Sequence, residues 1–326
     1  MKKLGVLILL LAVLISCKEN KNQNYLPSSI GGINTISVVI DNTLWKGKVG
    51  DKIREHFAAP AVGLTLDEPI FSINHVPPQV FTGTVRNMRA VLYVEKDSLN
   101  LGHLKTDMYA TPQRIGVIKG RTEEEIMANI DAKAQEIIAS FKNLEIKEAQ
   151  RRFKRSLSKE TVLKDKFGIS LTIPSAFKVV KQEDNFVWIE TQIPKGTMNI
   201  IAYEMPGDSF SNDSTFVKDI VQMRDSMGSK YIPGPDIPGK ITYMRSDPAF
   251  APHVFATEVG GKKAVEVRGI WDIKNYPMAG PFLTYIVNDK EKNRKMVVEG
   301  FTFAPSTNKR DYMFELEAVM RTIKYE

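Results

Sequence analysis

The sequence contains one cysteine, Cys17, in 326 residues. A single thiol excludes a disulfide framework, a CxxC redox pair and any zinc site that needs two thiolates. The four histidines lie far apart, and none stands in an HxH or HExxH pattern. GxGxxG, P-loop and GxSxG motifs are also missing, and with them the local signatures of nucleotide binding and of α/β-hydrolase chemistry. We therefore predict no cofactor, no metal site and no catalytic residue.

Long apolar runs are scarce, apart from one near the start of the chain. This run extends from Leu4 to Ile15 and follows two lysines. It is shorter than the roughly 20 apolar residues that a membrane-spanning helix needs. A positive start followed by a short apolar segment is typical of a secretory signal peptide. We therefore expect residues 1–16 to be a signal peptide that is removed.

The apolar run ends in Leu14-Ile15-Ser16-Cys17, which resembles the lipobox of bacterial lipoproteins. The resemblance implies that a diacylglycerol is attached to the sulfur of Cys17, that cleavage occurs before this residue, and that its new amino group receives a fatty acid such as palmitate. A thiolate is the side-chain nucleophile best suited to forming the thioether. Several acyl chains anchor a protein durably, whereas one chain binds only marginally. A secreted protein with a stray cysteine and an uncleaved anchor are the alternatives.

The residues after the lipobox predict how the folded part is held at the membrane. Residues 17–32 are mostly polar and of low complexity, which is typical of a flexible tether, here a lipidated one. Lys18 stands where an aspartate is linked to inner-membrane retention in some bacteria, and Lys18-Glu19 faintly resembles a surface-export signal. We therefore expect a lipid anchor in the outer membrane of the cell envelope. Its periplasmic and surface faces both stay open.

The charge balance argues against a nucleic-acid partner. The formal net charge is +7, and it drops by two once Lys2 and Lys3 leave with the signal peptide. The remainder is weak for a chain of this length, and no compact Lys/Arg cluster stands out. The partners that we predict are the membrane, reached through the N-terminal lipid, and an envelope protein or polymer of unknown identity.

Residues 33–157 predict an N-terminal α+β domain that ends in a long helix. A helix with apolar residues at four-residue spacing is predicted over Trp45–Ala58. A capping box between Thr122 and Glu125 opens the long helix, whose apolar stripe extends towards Arg155. Strands are predicted at 35–40, 70–73, 89–95 and 114–119.

Residues 158–326 predict a second α+β domain with a regular order of elements. Helices are predicted from Thr215 to Met227, where Gly228 supplies the stop, and from Lys309 to Lys324. Strands are predicted at 167–174 and 186–190, which form a hairpin, and at 198–204, 264–273, 282–287 and 296–303. Hairpins of this kind predict an antiparallel sheet flanked by helices. The predicted fold class is thus α+β, with two α/β sandwich-like halves.

Two local charge patterns stand out in this second half. Strand 264–273 alternates, so that Glu266 and Arg268 are expected on the face opposite its apolar side chains. Glu317 and Arg321 are four residues apart on the last predicted helix, which is a favourable spacing for an ion pair.

Two resemblances sharpen this interpretation. The order βββαβββα over about residues 160–326, opened by Gly168–Pro174, resembles the PsbP-like fold of several envelope lipoproteins and non-catalytic accessory proteins. The whole mature chain resembles a lipoprotein family of Bacteroidota known as domain of unknown function 4837. The stretches that carry this resemblance are Leu44–Asp51, Glu68–Phe71, Ala110–Gln113, Arg268–Trp271, Met278–Phe282 and Ala304–Arg310. The family has no established activity, so the resemblance implies location and fold only.

Four residues are candidates for a partner surface. Trp45 and Lys46 lie on a predicted helix that glycines weaken, so an exposed tryptophan beside a lysine is expected there. Met278 and Phe282 flank a Gly-Pro break, and loops with such breaks often form recognition surfaces.

These observations predict a lipid-anchored cell-envelope protein that acts as a non-catalytic binding or assembly module. Two other classes stay open: an envelope hydrolase whose site is assembled from separate loops, and a small-ligand carrier. Three titratable groups in a deep pocket would favour the hydrolase, and a closed apolar cavity would favour the carrier.

Overall fold

The computed structural model describes residues 25–210 and 214–326. The predicted signal peptide, Cys17 and the first part of the predicted tether lie outside these residues. The described chain forms two large β-sheets with helices packed against them, which confirms the predicted α+β class. Within the two described ranges, no helix combines the length and the apolarity needed to cross a bilayer.

The first half is built on a mostly parallel sheet. Its elements are β1 (Thr35–Val39), α1 (Asn42–Lys46), α2 (Lys48–Phe57), β2 (Ser72–Val76), β3 (Ala90–Lys96), β4 (Leu101–Thr106), β5 (Arg114–Gly120) and α3 (Glu123–Phe153). The strand order is β2-β1-β3-β5-β4, and only the β4–β5 pair is antiparallel. Apolar side chains of α2 and α3 bury one face, and the segment around Phe81 covers the other.

The predicted helix over Trp45–Ala58 is interrupted at Gly47. This residue is extended, with φ −97° and ψ −166°, and it separates α1 from α2. Gly50 allows the two helices to meet closely, because a Cβ at this position would lie 1.8 Å from the carbonyl oxygen of Trp45. The glycines therefore make a corner, which four-residue spacing alone does not indicate.

The long helix α3 links the two halves. The hydroxyl of Thr122 accepts a hydrogen bond from the N–H of Glu125 at 3.3 Å, as the capping box predicts. The Glu125 carboxylate accepts from the N–H of Arg121 at 2.8 Å, one residue before the expected donor. The first part of α3 packs in the core of the first half, whereas Phe153 near its end packs in the core of the second.

The last residues of the predicted tether belong to the folded part. The N–H of Ser29 donates to Thr111 at 3.1 Å, and the N–H of Ile30 donates to Asn87 at 2.9 Å. The buried guanidinium of Arg89 donates to the carbonyl of Gly32 at 2.8 Å. The folded region thus begins several residues before position 33, because backbone groups of this segment form hydrogen bonds with the rest of the first half.

The second half is built on an eight-stranded antiparallel sheet. Its elements are α4 (Val162–Phe167), β6 (Ile169–Ser170), β7 (Lys178–Glu183), β8 (Phe186–Ile193), β9 (Gly196–Pro206), α5 (Phe216–Tyr231), β10 (Met244–Ser246), β11 (His253–Val259), β12 (Lys262–Ile273), β13 (Tyr276–Asp289), β14 (Arg294–Phe303), α6 (Arg310–Met320) and β15 (Lys324–Tyr325). The order is β10-β12-β13-β14-β9-β8-β7, and β11 also pairs with β12. Helices α4 and α6 cover one face and α5 covers the other.

Three details of the second half differ from the prediction. Helix α6 ends at Met320, four residues before the predicted end at Lys324. The hairpin partner of β8 is β7, whereas Ile169–Ser170 pairs with Lys324–Tyr325 in a separate small sheet. Helix α5 continues past Gly228 to Tyr231. A Cβ at position 228 would lie 2.1 Å from the carbonyl oxygen of Met244, so this glycine allows close packing of α5 on β10 and does not stop the helix.

Candidate functional site

A cleft of about 410 Å³ lies between the two halves. Its walls come from the segment between α2 and β2, from α3, and from β11, β12 and α6. A volume of this size is within the range of ligand-binding sites. The apolar side chains that line it are Ala61, Val62, Leu64, Ile70, Ala139, Ile146, Phe255, Met313 and Phe314. The charged ones are Lys142, Glu266, Arg268, Arg310, Glu317 and Arg321.

Four of these charged side chains form a closed ring on one wall. Glu266 accepts from Nε of Arg268 at 2.6 Å and from Nη2 of Arg321 at 3.3 Å. Glu317 accepts from Nη2 of Arg268 at 2.6 Å and from Nε of Arg321 at 2.9 Å. Each guanidinium therefore contacts both carboxylates, and the ring carries no net charge.

Local structure explains why these four side chains converge. Glu266 and Arg268 are two residues apart on β12, so they project from the same face of the sheet. Glu317 and Arg321 are one turn apart at the end of α6. Tyr285, the register partner of Glu266 on β13, donates its hydroxyl to this carboxylate at 3.1 Å. Packing of α6 across β14 and β13 brings the two predicted patterns together, because the side chains of β12 reach the end of the helix.

The ring favours the charged forms of Arg268 and Glu317. Burial by itself would lower the pKa of Arg268, but the charges of Glu317 and Glu266 outweigh this effect and raise the pKa. Burial would likewise raise the pKa of Glu317, but Arg268 and Arg321 outweigh it and hold the pKa below the usual range. Burial raises the pKa of Tyr285 well above its ordinary value. Both carboxylates of the ring accept hydrogen bonds, and the lowered pKa of Glu317 makes this group poorly suited to donating a proton.

Lys142 is the cation of this cleft that has no ion-pair partner among the described residues. It lies on α3, and its side chain remains open to solvent at the rim. The protein around the cleft displaces water from the ammonium, and this desolvation lowers the pKa of Lys142. Glu317 acts in the opposite direction but does not cancel the effect. Lys142 is therefore available to an anionic group of a ligand.

The first half closes the cleft through the segment that precedes β2. Gly63 has a φ of +81°, and a Cβ there would lie 2.8 Å from the Cβ of Arg268. A residue with a side chain would meet both backbone strain and a collision at this point. The glycine therefore lets this segment pass directly over β12 and places Val62 on the cleft.

A second groove, of about 690 Å³, contains a different kind of carboxyl group. Burial raises the pKa of Glu315, which lines this groove. Asp311 nearby accepts hydrogen bonds from Asn34 and Arg310. The hydroxyls of Ser156 and Ser175, which also line the groove, hydrogen bond to each other at 2.7 Å. Two acidic side chains, Asp311 and Glu315, thus line the groove, and the pKa of Glu315 is raised.

The structure does not bring the four predicted surface residues together. Trp45 packs at the edge of the first core, stacked on His75 with ring centroids 5.0 Å apart and with Arg54 4.6 Å from its ring. Lys46 next to it is exposed. These neighbours cover part of the Trp45 ring, so its surface is smaller than the prediction assumes.

Met278 and Phe282 lie on β13 in the second half. Met278 is half-buried, whereas Phe282 is only 2% exposed and belongs to the core. Its ring packs 3.8 Å from the guanidinium of Arg224, which is held by the buried carboxylate of Glu299. Phe282 therefore cannot contact a partner directly, and the Gly-Pro break before it lies within a strand.

Sequence reasoning missed two exposed residues that line the cleft, Lys142 and Phe255. Nothing in the pattern of α3 distinguishes Lys142 from the other exposed lysines of that helix. A local signal could have found Phe255: the Gly260-Gly261 turn precedes β12, so the segment His253–Val259 before the turn is the natural hairpin partner. No group of three or more His, Cys, Asp or Glu side chains in the described parts of the chain is arranged to hold a metal ion.

Two family models match the chain, and they meet at the boundary between the two halves of the fold. A family model described as domain of unknown function DUF8532 matches residues 29–154. A second, described as domain of unknown function DUF4837, matches residues 156–322. No curated protein matches the chain. Because the second match covers just over half of its residues and agrees with the resemblance of its sequence stretches, the chain belongs to the DUF4837 family.

Proposed function

We propose that this chain is a lipid-anchored protein of the cell envelope, held in the outer membrane through Cys17. Its folded part acts as a non-catalytic binding or assembly module, and the cleft between the halves is its binding site. The signal-peptide pattern and the lipobox resemblance support the anchor. The tether then allows the folded part to reach partners near the membrane surface.

One observation carries the binding role. The cleft is walled by both halves, yet its carboxylates and guanidiniums are already matched to each other in the ring of Glu266, Arg268, Glu317 and Arg321. The ring lies within the second half, where it links α6 to β12, and it presents hydrogen-bonding groups beside apolar walls that both halves supply. This combination is typical of a preformed recognition site.

The same cleft gives little support to hydrolysis. Among the described residues that line it, there is no Ser, Thr, Cys, His or Tyr to act as a nucleophile or base. A carboxylate pair for glycoside hydrolysis needs one member with a raised pKa. The pKa of Glu317 is lowered, and Glu266 is held by two arginines and Tyr285.

Two experiments in cells test this proposal. Metabolic labelling with an alkyne analogue of palmitate is expected to modify the wild-type chain and not the Cys17→Ala variant, and equal labelling of both would overturn the anchor. In-cell crosslinking followed by mass spectrometry is expected to identify a specific envelope partner whose crosslinks map to the cleft. Absence of such a partner, together with turnover of an envelope polymer by the purified chain, would instead favour the hydrolase.

A further inference from the structure

Strand β11 leaves one edge of the larger sheet open. Its seven residues pair with β12 alone. On its other side, no backbone hydrogen bond is formed with any residue in the described ranges. It is also longer than the other edge strands, β2, β4, β7 and β10.

The turn after β11 determines which backbone groups face outwards. Gly260 and Gly261 form a two-residue turn with φ values of +61° and +74°, and Val259 pairs with Lys262 across it. Residues that flank such a turn form a hydrogen-bonded pair, and these pairs recur at every second position. The N–H and C=O groups of the intervening residues therefore point away from β12. These residues are Val254, Ala256 and Glu258.

This edge lacks the features that usually prevent strand addition. Native edge strands are protected by lysines, prolines or bulges. Strand β7, at the opposite edge of the sheet, carries Lys178 and Lys181 and has an irregular register between Val179 and Lys181. The sequence of β11, His-Val-Phe-Ala-Thr-Glu-Val, contains no lysine, arginine or proline, and its pairing is regular throughout.

The edge is continuous with the cleft. Phe255 lies on the same face of the sheet as Glu266, its register partner, and it lines the cleft while remaining 44% exposed. Val62, from the first half, is also exposed and lines the same space. Side chains of a strand added beyond β11 would alternate, and those on the cleft face would extend this apolar surface.

The net positive charge of the cleft favours an acidic partner segment. Its lining contains four cationic side chains and two carboxylates, and Lys142 has no partner in the described chain. A second copy of this chain would add a second net positive cleft to the extended sheet, which charge repulsion opposes. An acidic segment is favoured for the same reason.

From these observations we infer that β11 is a docking edge for an extended segment of a partner protein in which an apolar and an acidic residue stand two positions apart. The segment adds to the sheet as a further strand through the outward groups of Val254, Ala256 and Glu258. Residues two positions apart in a strand share a face, so its apolar side chain packs against Phe255 and its acidic side chain lies towards Lys142. This inference rests on the proposed binding role and specifies its partner.

The test uses the full lipidated chain in detergent and a phage-displayed library of random twelve-residue peptides. Enriched peptides are expected to carry an apolar and an acidic residue two positions apart. A synthetic copy of one of them is expected to slow amide exchange at Val254, Ala256 and Glu258. The Ala256→Pro variant removes an outward N–H without removing a bond to β12, so binding is expected to weaken tenfold or more. The matched Ala256→Val variant keeps the N–H and is expected to bind within twofold of wild type.

Several results would overturn the inference. These are a library without enrichment, peptides that bind Ala256→Pro as tightly as wild type, and exchange protection that maps to other strands. If Ala256→Pro does not fold, Phe255→Ala replaces it, because this exposed side chain can be removed without disturbing the backbone. Its binding is also expected to weaken about tenfold, and unchanged binding would count against the edge. Dimerisation that Ala256→Lys abolishes would assign the edge to a second copy instead.

The outcome is separable from that of the proposed function. If in-cell crosslinking identifies a partner but the crosslinks persist in the Ala256→Pro and Phe255→Ala variants, the docking edge is wrong and the binding role stands. If no partner is found and the chain degrades an envelope polymer, the proposed function itself fails.

Discussion

The carboxylate of Glu68, in the first half, accepts hydrogen bonds from the backbone N–H of Lys309, in the second half, at 2.7 and 2.9 Å. It also accepts from the N–H of Arg310 at 2.9 Å. Lys309 is the N-cap residue of α6, and its own side chain provides no cap. A residue 241 positions away therefore caps this helix and places a negative charge at the positive end of the helix dipole.

Glu68→Ala is expected to lower the free energy of unfolding by about 2 kcal/mol, because buried N–H groups lose a charged acceptor. Urea denaturation followed by circular dichroism measures the change. Asp67→Ala is the matched control: Asp67 is exposed next to the buried Glu68, so its removal is expected to change stability by less than about 0.5 kcal/mol. Equal effects of the two variants would contradict the role of Glu68 as a cap.

Gly63→Ala is expected to destabilise the protein more than Gly261→Ala. Both glycines have positive φ values, +81° and +74°, so both variants strain the backbone by about 1 kcal/mol. Only at position 63 would the new Cβ also collide, at 2.8 Å, with the Cβ of Arg268, whereas no atom lies within 4 Å at position 261. The difference between the melting temperatures of the two variants measures the effect of the collision with Arg268. Identical melting temperatures would show that the segment over β12 can move to make room for the new Cβ without a loss of stability.

The stability that the end of α3 contributes is expected to decrease at acidic pH. Hydrogen bonds from Arg151, and then from Arg152, lower the pKa of Glu148 from 4.5 to about 2, against the opposing effect of burial. A carboxyl group whose pKa is lower in the folded state adds stability above its ordinary pKa, and that stability is lost as the pH falls towards the folded value. The relevant window is therefore between about pH 4.5 and 2.

Glu148→Gln tests this window. At pH 7 the variant is expected to be less stable than wild type by about 2 kcal/mol, since the charged hydrogen bonds from Arg151 and Arg152 are weakened. At pH 3 the difference is expected to be smaller, because wild-type Glu148 is losing its advantage. Urea denaturation at both pH values measures it. Glu136→Gln, which breaks an exposed ion pair with Lys133, is expected to change stability by less than about 1 kcal/mol at pH 7. A difference that stays constant from pH 7 to pH 3 would contradict the lowered pKa of Glu148.

Lys142 is expected to be more reactive than Lys164 at alkaline pH. Desolvation in the cleft lowers its pKa, whereas a hydrogen bond to Glu326 raises the pKa of Lys164. A larger fraction of Lys142 is therefore neutral at a given pH, and the neutral amine is the nucleophile. Competitive labelling with isotopic acetic anhydride from pH 7 to 11, read by mass spectrometry, is expected to show Lys142 titrating first. If Lys164 titrates at the lower pH, the cleft does not lower the pKa of Lys142.

Patterns of local contacts allowed much of the fold to be predicted. The spacing of apolar residues located α3 and α6, and alternation located β12, because a helix or a strand buries one face of its own sequence. Errors arose where a neighbour distant in sequence decided the outcome. Gly228 is a common type of helix stop, yet α5 passes through it because β10 packs against that position.

The candidate site was far less accessible to sequence reasoning. The Glu317–Arg321 spacing and the alternation of Glu266 with Arg268 were both evident, but each has an ordinary interpretation as a solvated surface. Only the packing of α6 on β13 and β14, beside β12, turns the two pairs into one closed ring. Trp45 and Phe282 were selected by residue type, and burial then decided how much of each remains accessible.

The sequence by itself determined that the fold is α+β, which stretches resemble a known family, and where the one cysteine stands relative to a short apolar run. These properties depend on neighbouring residues, and they can be interpreted from periodicity and spacing. The tertiary structure alone decided that Glu68 caps a helix 241 residues away, that Lys142 faces a cleft without an ion-pair partner in the described chain, and that β11 ends the sheet with an open edge. Contacts of this kind join distant segments, and their energies depend on burial and direction, which no local pattern encodes.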